Sequence, residues 1–264
     1  MKAFWMELQT TTELAFEQLF WSRKTLFVEI LALLPPAIAL FWRIGISSGI
    51  ARPLVSAGGL FSAMMTTAYL QFLVLMVSLF YGTALIADEV ENKTLTYITT
   101  RPVPKWFLLL GKYLAYLLIG TGITFHSIFL TYLVLFSMDG GSRLLQEIPV
   151  LFKDLCVVFL GVLAYGAIFC FLGTATKRPL VIGLTFCAGW ESLITYLPGV
   201  TRKLTVMHFL QSLFPHISGQ EVALLFPNQS AGIGESIAMI LFYTALFFSL
   251  SLVVFNRRQY LFDQ

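Results

Sequence analysis

Apolar residues run along this chain in long blocks, not in the short alternations of strands or the narrow stripes of water-soluble helices. Residues 64–87 contain no charged side chain, and a stretch of about 20 such residues is what a helix needs to cross a bilayer. Comparable blocks occupy 25–42, 107–137, 154–175, 180–197 and 236–256. The pattern therefore predicts an all-α integral membrane protein with six transmembrane helices. In the first of them Pro35 and Pro36 remove two consecutive backbone donors, which predicts a kink. Between the fourth and fifth only Thr176-Lys177-Arg178-Pro179 intervenes, a tight turn.

Two segments outside these blocks also carry a pattern. Residues 1–22 read as an amphipathic helix. Phe4, Trp5, Leu8, Ala15, Phe16, Leu19 and Phe20 fall on one arc of ~160°, and Glu7, Glu13 and Glu17 lie opposite. Together with Arg23 and Lys24 this makes 1–24 an interfacial helix whose acidic face suits a protein partner better than anionic lipid. The segment 198–235 is too long for a turn, and Leu204, Val206, Met207, Phe209, Leu210, Leu213 and Phe214 make it apolar almost all round. It reads as an outer loop with one or two short re-entrant helices, tolerated at membrane depth where protein covers them.

Composition narrows the class. Hydrophobic residues make up 58% of the chain and charged ones only 12%, half of the roughly 25% a soluble domain uses to cover its surface. Six spans fill 264 residues, so 1–264 reads as one membrane domain with no room for a separate catalytic unit. Of seventeen Lys and Arg residues, eleven fall on one side and six on the other. By the positive-inside rule this places both termini in the cytoplasm and the protein in the cell membrane. Nothing in the charge points to nucleic acid. With Glu7, Glu13 and Glu17 in the first twenty residues, no cleavable signal peptide is expected. Cys156, Cys170 and Cys187 are widely spaced within apolar segments, which argues for packing residues and not for a disulfide framework or zinc site.

Catalytic signatures are absent. There is no HExxH, no GxSxG, no Cys/His cluster and no GxxxxGK[ST] phosphate loop, so the chain has no nucleotide cradle of its own. His126, His208 and His216 share no helical spacing and read as packing residues. The informative stretch is the inner connection between the second and third spans, 88–105. Asp88, Glu89 and Glu91 mark the point where the chain leaves the bilayer. Leu95 and Ile98 then give a short helix an apolar face, and Pro102 and Pro104 stop it. A plain connector needs only a few residues and no apolar face, whereas an apolar face rimmed by charge is a docking surface.

This run resembles the signature of permease subunits of the type-2 export class of ABC transporters, which reads Gly, small apolar residues, Glu-x-Glu-x-Gly-Thr-Leu, Pro-Val and Gly-Lys. Gly82, Glu89, Glu91, Thr94, Leu95, Pro102, Val103, Gly111 and Lys112 match, and Lys93 stands where the family often has Gly. The surface helix, six spans and long outer loop extend the likeness over nearly the whole chain. The resemblance implies a half-transporter that pairs with a second permease, identical or paralogous. Each permease would rest on a separate cytoplasmic ATP-binding subunit, which alone binds ATP and Mg. Residues 88–101 would form the coupling helix, with Asp88, Glu89, Glu91, Thr94, Leu95, Ile98, Arg101 and Pro102 meeting the ATPase. The chain itself would be a transport subunit, not an enzyme, and would bind no cofactor.

One ionisable residue is expected deep in the bilayer. Glu191 lies eleven residues beyond Leu180, roughly 16 Å into a core of about 30 Å. A carboxylate there faces a cavity or the bundle interior, so Glu191 and its neighbour Trp190 are candidates for the transport pathway. A structural role, with a partner on a neighbouring helix, is the equal alternative. Two other classes fit a polytopic protein. A secondary transporter would need several intramembrane charges or an inverted repeat, and a lipid-modifying enzyme would need clustered polar residues on the spans. Glu191 alone offers little to either.

Overall fold

The computed structural model describes residues 2–49, 56–91, 105–137, 141–191, 203–214 and 231–257, and among them every regular element is helical. In chain order these are α1 (Lys2–Phe20), α2 (Arg23–Ala32), α3 (Leu34–Ser47), α4 (Ala57–Met64), α5 (Leu75–Glu91), α6 (Lys105–Phe136), α7 (Gly141–Ala175), α8 (Pro179–Thr185), α9 (Val206–Leu213) and α10 (Ile233–Arg257). A π-helical stretch, Met65–Val74, joins α4 to α5, and another, Phe186–Glu191, continues α8.

Among the described residues five helical stretches are long and apolar enough to cross a bilayer: Arg23–Ser47, Ala57–Glu89, Trp106–Phe136, Leu144–Ala175 and Ile233–Arg257. Six were expected, and the fifth of those blocks is described only in part. The block at 180–197 is represented by Pro179–Thr185 and Phe186–Glu191, seven and six residues, which at ~1.5 Å per residue reach only about 20 Å. Its remainder lies outside the described residues. The fourth span also differs from expectation. α7 has 35 residues and begins at Gly141, so Glu147, Lys153 and Asp154 sit on the helix instead of before it. At about 52 Å it is longer than the ~30 Å hydrocarbon core.

The proline pair acts one turn earlier than its position suggests. The break falls at Leu33, and Pro35 and Pro36 occupy the first turn of α3, where a missing N–H costs least. Pro36 cannot donate to the Ala32 carbonyl, four residues back. That acceptor is instead filled by the Ser127 hydroxyl of α6, and backbone bonding resumes with Ala37 N–H to Leu33 O at 3.1 Å. In lipid, where no water can substitute, such repair by a neighbouring helix is required.

α7 is the central helix, packed against α5, α6, α8, α9 and α10. Its contact with α5 is a small-residue crossing. A Cβ on Gly82 would lie 2.8 Å from the Phe169 Cβ, and one on Gly173 would lie 2.7 Å from the Thr83 carbonyl oxygen. Dispersion between closely approaching backbones, not exclusion of water, holds helices together in hydrocarbon. Buried hydroxyls add directional ties: Tyr116 Oη donates to Ser78 Oγ at 2.9 Å and to Val162 O at 2.7 Å.

Candidate functional site

The charged residues that the sequence places at one end of the second and third spans converge in the structure. α5 ends in Asp88-Glu89-Val90-Glu91, and α6 begins at Lys105. Glu89 is turned inward, 8% exposed, and ion-paired to Lys112 on the second turn of α6. The same ammonium donates to Leu85 O at 3.1 Å. Buried ions are costly to desolvate, and the Leu85 carbonyl takes one of the ammonium's remaining protons. Next to this pair Lys24 Nζ reaches both carboxylate oxygens of Asp88 at 2.6 Å, with both side chains about two-fifths exposed. The Tyr81 hydroxyl, from earlier in α5, donates to Thr25 Oγ1 at 2.8 Å.

The result is that α2, α5 and α6 are clamped together at one level. Segment 92–104 leaves from the end of α5 and returns to the start of α6, so the Glu89–Lys112 pair ties its two feet. Gly111 explains the approach of α1: a Cβ there would stand 2.7 Å from Thr11 Oγ1. Gly82, Asp88, Glu89, Gly111 and Lys112 are thus brought into one region, each with a packing or pairing reason. The Glu91 side chain and Thr94, Leu95, Ile98, Arg101, Pro102 and Val103 lie outside the described residues. Lys24, which the sequence reading used only as a boundary mark, joins this cluster through Asp88. Its signal was there: a cation at the start of the first span faces the acidic exit of the second.

The second buried carboxylate is Glu191, 2% exposed at the end of the π-helical stretch Phe186–Glu191. It accepts from the backbone N–H groups of Val206 and Met207, with the Tyr165 hydroxyl of α7 beside it. Val206 and Met207 are the first two residues of α9, and the Thr205 hydroxyl accepts from the third, His208 N, at 3.3 Å. The first donors of a helix have no partner within it, and α9 receives both a carboxylate and a hydroxyl. Negative charge at that end is also favoured by the helix dipole. α9 carries Phe209 and Leu210 buried against α7 and α10. Trp190 points away from this cluster and is 44% exposed.

Among the described residues no group of three or more His, Cys, Asp or Glu side chains could hold a metal ion. A family model described as ABC-2 family transporter protein matches residues 16–260. A search of curated proteins gave no match.

Proposed function

The chain belongs to the ABC-2 family of membrane transporters, and from that premise we propose that it is the membrane half of an ATP-driven exporter. As a member of this family it is a transport subunit and not an enzyme. In our reading it works as a dimer with an identical or paralogous permease, each resting on a separate cytoplasmic ATPase that binds ATP and Mg. Both termini are cytoplasmic, which puts segment 92–104 on the ATPase side. α9 then lies in the outer half of the bundle as a re-entrant helix.

The observation that carries this reading is the pair of ion pairs flanking that segment. A docking element moved by an ATPase performs work on the spans only if its feet are fixed to them. Glu89–Lys112 fixes both feet to each other, and Asp88–Lys24 passes displacement on to α2 and α1. Glu91, Thr94, Leu95, Ile98 and Arg101 are left as the surface for the ATPase. A secondary transporter would instead call on Glu191, which is engaged with the start of α9.

Two measurements test the proposal. The purified single chain should hydrolyse no ATP, and hydrolysis should follow addition of the partner ATPase. Glu91→Lys combined with Arg101→Glu should abolish capture of that ATPase while membrane insertion persists. Undiminished capture by the double reversal would remove 88–101 from the docking role.

A further inference from the structure

A recess of about 610 Å³ lies between the end of α1, the start of α2 and the middle of α6. Its walls are Phe16, Phe20, Trp21, Leu26, Leu118 and Ile119, and its polar groups include Glu29 and His126. Phe20, Trp21, Leu26 and Leu118 are each more than half exposed, so the recess opens on the flank of the bundle, where lipid would be. Glu29 lies six residues into α2 from Arg23, about 9 Å along the axis. A carboxylate on a membrane-spanning helix is costly and normally has a partner. Neighbouring Lys24 is committed to Asp88, and no ion pair involves Glu29 among the described residues.

The size suits a small ligand, an apolar wall with few polar groups suits an aliphatic chain, and the lone carboxylate selects the charge of its head. We infer that this recess binds a membrane amphiphile with one aliphatic chain and a protonated amine head, the amine meeting Glu29 and the chain lying along Leu118 and the α1 aromatics. The site is separate from the coupling region. Binding would need neither ATP nor a partner, so its failure would leave the transport reading intact.

The test uses the full chain in phosphatidylcholine nanodiscs and a photoactivatable long-chain alkylamine, with the alkyl sulfate of equal length as control. The alkylamine should label peptides spanning 16–29 or 118–126, at least tenfold more than the sulfate does. Glu29→Gln should erase that preference, and Glu29→Lys should turn it toward the sulfate. Gly122 lines the recess and has nothing within 4 Å of where its Cβ would stand. Gly122→Phe should therefore fill the space and abolish labelling by both probes without touching the charge. Equal labelling by amine and sulfate in the wild type would overturn the inference. So would a preference that survives Glu29→Gln, or labelling that survives Gly122→Phe.

Discussion

Glu89 and Glu191 face the same physical problem, a carboxylate shut away from water, and the protein solves it in two ways. At the end of α5 a full opposite charge is brought in from another helix, Lys112, with a backbone carbonyl taking one more of its protons. In the bundle beside α9 the described partners of Glu191 are backbone and hydroxyl groups. Two backbone N–H groups at a helix start take the charge. The first solution joins two spans and depends on both partners being ionised. The second attaches a short helix to the bundle through the backbone dipoles at that helix's start. Charge against charge suits a place where force passes between helices, and charge against backbone suits a fixed anchor.

The comparison is broken most severely by removing one member of the ion pair. Lys112→Met or Glu89→Leu alone leaves an uncompensated buried charge, expected to cost about 3–5 kcal/mol. Thermal unfolding in detergent should show a large drop for each single variant. The double variant should recover most of it, because replacing both ions by apolar side chains is often neutral. If the double variant is as unstable as the singles, the pair is not the source of the effect.

At the other site Glu191→Leu leaves two helix donors unsatisfied, at roughly 1–3 kcal/mol each, though rearrangement of α9 would recover part. Reduced yield and a lowered unfolding temperature are expected. Glu191→Gln keeps an acceptor oxygen of the same reach and should retain most of the stability and transport. Loss of transport by Gln with stability unchanged would return Glu191 to the pathway and end the contrast drawn here.

The smallest effect is expected at Lys24–Asp88. Its partners are partly exposed, and solvent and salt screen such pairs to about 0–1 kcal/mol. Asp88→Asn should hardly shift unfolding, yet it should lower transport per ATP hydrolysed by assembled transporter if α2 is driven through this contact. Coupling equal to wild type would confine force transfer to α5 and α6.

Much of this was legible in the chain itself. The uncharged run of 64–87 and the blocks at 107–137 and 236–256 correspond to helices that overlap them almost end to end, because a hydrocarbon solvent leaves apolar residues little choice of structure. The fourth and fifth blocks were harder. Lys153 and Asp154 look like a boundary, but helix α7 continues through them because its own backbone bonding, unlike hydropathy, does not stop at the membrane surface. Past Thr185 the backbone winds into a π-helical turn, a local deviation that periodicity does not register. Around the end of α5 and the start of α6, Gly82, Glu89, Gly111 and Lys112 were readable as a spaced pattern. That Glu89 and Lys112 face each other was not, because pairing across 23 residues of chain depends on how two helices cross. Glu191 was readable as a misfit in lipid, and its answer lay in the backbone of α9, which carries no side-chain signature.

The interruption at Leu33 bears on how the first span responds to load. A continuous helix is a stiff rod, and a push at one end arrives at the other. Here the rod is cut, and across the cut the Ala32 carbonyl is tied sideways to Ser127 instead of lengthwise to residue 36. Bending at this point costs one lateral hydrogen bond and none of the ladder on either side. α2, with Lys24 at its base, is thereby tied to α3 more loosely than in a continuous helix. It can tilt with α5 while α3 keeps its place against α6.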